Sequence, residues 1–131
     1  MATIFTRIIN NEIPAYKIAE NDKFIAFLDA FPIQEGHTLI VPKREVDNYF
    51  DLTDIEISEM AVFTKKIANA IKQAIPCEKI GTSVIGLEVP HAHVHLVPIN
   101  SMKDMDFYKK MKIEPQRMNE IKELIISKLS L

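Results

Sequence analysis

Apolar positions recur at helical spacing over two stretches and gather into short runs elsewhere. Ile57, Met60, Ala61, Thr64, Ile67, Ala68, Ile71 and Ile75 follow a 3.6-residue period. Ahead of them Thr53-Asp54-Ile55-Glu56 fits a capping box, Leu52 with Ile57 fits the accompanying hydrophobic staple, and Pro76 is a stop. A second stripe, Met118, Ile121, Ile125 and Leu129, follows Pro115 and predicts a C-terminal helix at about 115–129. Thr3 can cap a short helix running to about Asn10, with Ile4, Phe5, Ile8 and Ile9 on one side. Residues 16–19 and 23–29 read as a hairpin around the polar turn Glu20-Asn21-Asp22. Residues 37–41, closed by Pro42, read as an inner strand; 80–85 and 91–99 read as two more. This order predicts an α+β domain, a mainly antiparallel sheet with helices on one face.

Composition narrows the picture. The 131 residues, 47% of them hydrophobic, suit one compact domain over 1–131. A net charge of −2 gives no basic excess to hold a long nucleic acid. The one cysteine, Cys77, excludes an internal disulfide and a Cys-rich zinc motif. No run reaches the ~20 apolar residues of a membrane span. With no export signal and a free thiol, the expected location is cytoplasmic.

Chemistry concentrates in Pro90-His91-Ala92-His93-Val94-His95-Leu96-Val97-Pro98, which holds three of the four histidines. On a strand, His91, His93 and His95 share one face, with alternate residues about 6.6 Å apart. Ala92, Val94 and Leu96 face the other way. An incidental surface row is one reading. A metal site is a second, although the outer two rings would stand about 13 Å apart and could not share one ion on a straight strand. The third is imidazole chemistry on an anion: a neutral ring attacks phosphorus, while protonated neighbours neutralise phosphate oxygens and donate to the leaving group.

The segment resembles the signature of the histidine triad family of nucleotide hydrolases and transferases, His-φ-His-φ-His-φ-φ with φ apolar. His91-Ala92-His93-Val94-His95-Leu96-Val97 matches it in full. Thr3-Ile4-Phe5, Ile8-Ile9 and Glu12-Ile13-Pro14-Ala15 resemble the opening of the family's nucleoside-binding branch. Phe27-Leu28-Asp29 and Gly36-His37-Thr38-Leu39-Ile40-Val41-Pro42-Lys43 resemble two further segments, so the likeness covers about residues 3–99.

The resemblance implies a five-stranded, mostly antiparallel sheet and a homodimer whose sheets join. It implies action at the α-phosphate of a purine nucleotide, through a covalent intermediate on His93. The His91 carbonyl would orient that ring, and His95 and His37 would approach the phosphate. Asp29 would accept from ribose hydroxyls, with Ala30 beside it. Ile4, Phe5, Ile8, Ile13, Phe27 and Leu39 would form the purine slot. No metal or other cofactor is expected. Phosphoramidase action is the first expectation, and dinucleoside polyphosphate hydrolysis or nucleotide binding with little turnover are the alternatives. The family's polar stretch before the triad departs here: Leu87 stands where Gln is usual and Glu88 where Ser is frequent, while Gly86 and Val89 fit. Thr82 or Ser83 could supply a substitute hydroxyl. Gly86, Glu88 and Ser83 are therefore the candidates on the phosphate side, and a carboxylate there must point away or pair.

Overall fold

The computed structural model describes residues 2–130. Helix α1 (Ile4–Ile9) leads into strands β1 (Lys17–Glu20), β2 (Phe24–Leu28) and β3 (Thr38–Pro42). Helix α2 (Asp54–Ala74) follows, then β4 (Lys79–Ser83), β5 (Val94–Ile99) and α3 (Pro115–Ile126). Short 3-10 turns at Tyr49–Asp51 and Met102–Met105 had no signal in the apolar pattern. The strands form one sheet in the order β1-β2-β3-β5-β4, antiparallel at every step.

The helices begin where their caps are written. The Thr3 hydroxyl accepts from the Thr6 N–H and starts α1. Thr53 and Glu56 complete the reciprocal capping box of α2. Pro115 opens α3, and its Met118, Ile121 and Ile125 are buried. On α2 the buried face is Met60, Phe63, Ile67, Ala70 and Ile71. Ala61 is exposed, so the stripe lies slightly rotated from the one predicted.

Every residue of β2 and β3 is buried, because both faces of the sheet are covered. Phe24, Ala26, Leu28, Ile40, Val94 and Leu96 pack with α2 and α3. Ile25, Phe27, Leu39 and Val41 pack with Phe5 and Ile8 of α1. The expectation of helices on one face is thus corrected. Alternating side chains left a second apolar face on β2 and β3, and α1 covers its outer end. His95 pairs in register with Leu39, which places it on this α1 side.

Two strand boundaries also move. β4 ends at Ser83, and β5 begins only at Val94, not at residue 91. Upstream of Val94 the backbone leaves the ladder. The His91 N–H bonds the Val89 carbonyl at 2.8 Å, and the Ala92 N–H bonds the Val46 carbonyl at 2.7 Å.

Gly36 shapes the approach to β3. Its φ is +90°, and an added Cβ would lie 3.0 Å from Pro98 Cγ and 3.1 Å from Ile75 Cγ1. Gly86 has φ +74° but open space around it. Gly36→Ala therefore meets both backbone strain and overpacking, for a loss of roughly 2–4 kcal/mol. Gly86→Ala meets strain alone, about 1 kcal/mol. Denaturant midpoints of the two variants should differ in that order; equal losses would remove the packing role of Gly36.

Candidate active site

The four histidines gather beside α1, and hydrogen-bond partners define their tautomers. The Pro42 carbonyl can only accept, so His91 Nε2, 2.8 Å away, carries a proton and donates to it. His91 Nδ1 then accepts from the Thr3 hydroxyl at 2.8 Å. Thr3 is tied in turn: its backbone N–H donates to Glu45 Oε1 at 3.1 Å, and Glu45 also accepts from the Thr6 hydroxyl. The His91 carbonyl lies 2.7 Å from His93 Nδ1, so that nitrogen donates and the neutral ring keeps its lone pair on Nε2.

A second chain holds the other pair. The Ile33 N–H donates to His37 Nδ1 at 3.1 Å, which puts the His37 proton on Nε2. That nitrogen is 2.9 Å from His95 Nδ1 and donates to it, so His95 presents its own Nε2–H. The His93 and His95 ring centroids are 4.8 Å apart.

The straight row of three rings predicted for residues 91–95 is therefore corrected. His95 lies on β5, whereas His91 and His93 precede it on the turned segment. The His91 ring is directed to Thr3 and Pro42, away from His37 and His95.

Burial governs the charge of His37, His91 and His95. Desolvation lowers His37 to about 4, opposed by the nearby Asp29 carboxylate. Desolvation lowers His95 to about 3, with His93, His37 and Lys110 adding to the effect. His91 is lowered too, again chiefly by burial. The protonated neighbours expected from the sequence are thus neutral at pH 7, and His37 and His95 act as oriented N–H donors.

The other candidates fall into three groups. Phe5, Ile8, Phe27 and Leu39 form the buried cluster under α1, with Ile13 packed against it. The Phe5 ring stands edge-on to Phe27 at 5.6 Å and to His93 at 5.0 Å. Ile4 is 51% exposed and lies outside this cluster. Asp29 caps the following turn, accepting from the Phe31 N–H at 2.8 Å, and its other oxygen is 3.5 Å from His37 Nε2. Ala30 is exposed. Ser83 sits opposite His95 in the β4–β5 register and shares its face.

Gly86 lines a cleft of about 200 Å³ beside His93, with Ala92, Val84 and Ile85. Asp47, Asn48, Tyr49 and Phe50 close its far wall. The sequence reading missed these four, because a polar stretch before a helix carries no chemical signature. It also missed Phe107, whose ring packs edge-on to His95 at 4.8 Å and to His37 at 6.0 Å. Glu88 points outward and pairs with Lys110, 3.2 Å from either carboxylate oxygen, while Leu87 is 89% exposed.

A family model described as HIT domain matches residues 10–102. The chain belongs to the HIT family. This HIT protein is 36% identical over 98 residues to an adenosine 5'-monophosphoramidase of Saccharomyces cerevisiae, covering 74% of this chain and 62% of the relative. A hypothetical histidine triad nucleotide-binding protein from Sulfolobus tokodaii superposes with a TM-score of 0.83 at 28% identity, covering 95% and 89% of the two chains. A zinc-bound histidine triad protein from Mycobacterium smegmatis gives 0.82 at 25% identity, covering 98% and 93%.

In the HIT protein, Asp29, His37 and His95 bring donor atoms within 4.8 Å of one another, close enough to suggest a metal. As they stand, the two histidines are hydrogen-bonded to each other. His37 Nε2 and His95 Nδ1 face each other at 2.9 Å, so one's proton occupies the other's lone pair. Zinc at about 2.0–2.1 Å from each would need that proton removed and the nitrogens moved to roughly 3.3 Å apart.

The depressed histidines have a consequence for stability. The unfolded chain binds protons near pH 6.5, and the folded one only near 4 at His37 and 3 at His95. Between those values the unfolded state holds more protons, so stability is full above about pH 6.5 and falls as pH drops toward 4. Urea midpoints measured from pH 7 to 4 should fall across this window. His95→Asn, whose amide oxygen can replace Nδ1 as acceptor from His37, should flatten the fall. An unchanged pH profile in that variant would count against the buried neutral ring.

Proposed function

We propose that this HIT protein hydrolyses purine nucleotides at the α-phosphate through a nucleotidyl-His93 intermediate, acting first as a nucleoside phosphoramidase. The observation that carries this reading is the 2.7 Å contact between His93 Nδ1 and the His91 carbonyl. It holds the proton on the inner nitrogen and leaves Nε2 as the nucleophilic one.

In the first step the Nε2 lone pair forms the bond to phosphorus. The bond to the leaving group breaks, and its electron pair goes with that group. A departing amine takes its proton from water. His95 Nε2–H donates a hydrogen bond to a phosphate oxygen, a role open to a neutral ring. Water then adds to phosphorus, the nitrogen–phosphorus electrons return to His93, and the water proton is released. No step requires a metal. The adenosine 5'-monophosphoramidase activity of the yeast relative supports the choice of substrate.

Asp29, with its second carboxylate oxygen toward His37, is proposed to accept from the ribose hydroxyls. Phe5, Ile8, Ile13, Phe27 and Leu39, with Ile4 at the rim, are proposed to wall the base. The same reading makes the active species a homodimer. β4 ends the strand order, so its outer edge is free to pair, and Val84 and Ile85 beyond it are exposed. Sedimentation at micromolar concentration should give twice the chain mass; a single-chain mass would refute the dimer.

His93→Ala and His93→Asn should each lower turnover of adenosine 5'-phosphoramidate by at least about 10³-fold. Rapid-quench mass spectrometry should find the nucleotidyl group on His93 in the native protein. Near-native turnover in either variant would remove His93 as the nucleophile. EDTA should leave the rate unchanged, and loss of activity on chelation would restore a metal-dependent mechanism.

A further inference from the structure

The His91 carbonyl that orients His93 belongs to a segment ahead of β5 and outside its ladder, so side-chain bonds must help hold it. The fully buried His91 ring is gripped between the end of β3 and the start of α1. Its Nε2–H donates to the Pro42 carbonyl at 2.8 Å, and its Nδ1 accepts from the Thr3 hydroxyl at 2.8 Å. Phe5, two residues after Thr3, stands edge-on to the His91 ring at 5.8 Å and to the His93 ring at 5.0 Å. The Thr3 grip is braced in turn. Glu45 Oε1 accepts from the Thr3 N–H at 3.1 Å and from the Thr6 hydroxyl. A carboxylate only accepts, so the Thr6 proton lies toward Glu45. The Thr3 and Thr6 hydroxyl oxygens are 3.3 Å apart, so the Thr3 proton goes to the nearer acceptor, His91 Nδ1.

We infer that Thr3 is a positioning residue for the nucleophile and that Glu45 sets it: together they hold the His91 ring so that its backbone carbonyl keeps the proton on His93 Nδ1. The inference rests on the proposed reaction at His93. Without the Thr3 hydroxyl, the His91 Nδ1 lone pair has no partner in a buried place, and that costs free energy unless the ring turns. Turning the ring shifts the His91 backbone, which has no strand partner there to hold it. His93 Nδ1 then loses its acceptor, and its proton is free to move to Nε2, the attacking atom. A neutral ring protonated at Nε2 has no lone pair there for phosphorus.

Nitrogen-15 NMR of histidine-labelled protein reads the tautomer, and steady-state kinetics with adenosine 5'-phosphoramidate reads its consequence. Both are measured on the full chain and on five variants. Thr3→Val keeps the shape and loses the hydroxyl, and Glu45→Ala removes the brace at an exposed position, without opening the core. Each should convert His93 in part to the Nε2–H tautomer and lower kcat roughly tenfold, with KM changed by no more than about twofold. Thr3→Ser keeps a hydroxyl, and Glu45→Gln keeps an acceptor oxygen without the charge, so both should retain the native tautomer and rate. Ile125→Val loosens the core on the other face of the sheet and should change neither. A Glu45→Gln as impaired as Glu45→Ala overturns the inference, because Glu45 would then act as a charge. An Ile125→Val that matches Thr3→Val in tautomer and rate also overturns it. A native protein without turnover sinks the reading at His93 and the inference with it; native turnover with an unaltered His93 tautomer in Thr3→Val sinks the inference alone.

Discussion

An imidazole taken out of water must be neutral, and each of its nitrogens that faces protein needs a partner of the right kind. That constraint organises this site. Pro42 and Thr3 engage the two nitrogens of His91, and Ile33 and His95 engage those of His37. Each partner fixes a proton's position, and the positions propagate. A backbone N–H at Ile33 determines that His95 presents an N–H outward. A backbone carbonyl at His91 determines that His93 presents a lone pair. The N–H of His95 and the lone pair of His93 thus stand side by side, 4.8 Å between ring centroids, and burial suppresses the charge on His91 and His95 to either side of His93.

The sheet divides stability from chemistry. One face of β2, β3 and β5 packs with α2 and α3 and forms the larger core. The other face carries the smaller apolar cluster under α1 and, on β5 and just ahead of β3, His95 and His37. α1 therefore does two jobs. Phe5 and Ile8 close the cluster, while its cap residue Thr3 holds the His91 ring. Glu45, reached from the end of β3, ties Thr3 and Thr6 together and so connects the first turn of the chain to the triad.

The surface ahead of the triad follows different physics. There the Glu88 carboxylate pairs with Lys110 at 3.2 Å, and because both side chains are solvated the pair contributes little to stability.

The chain's own pattern determined its elements. Caps at Thr3 and Thr53, the stripes of α2 and α3, and the apolar runs of the strands are local properties, legible because side-chain spacing and backbone hydrogen bonding act over a few residues. The spacing of His91, His93 and His95, together with Gly36-His37, identified the chemical type for the same reason. Tertiary structure decided the rest. It turned residues 91–93 out of β5, where the amide protons of His91 and Ala92 found Val89 and Val46 instead of a neighbouring strand. It put α1 on the second face of the sheet and left Ile4 outside the cluster that Phe5 and Ile8 complete. It brought Phe107 to His37, far away in the sequence, and Lys110 to Glu88. These outcomes depend on partners distant along the chain, and the tautomers depend on them too, since a ring nitrogen's proton is placed by whatever donor or acceptor the fold delivers to it.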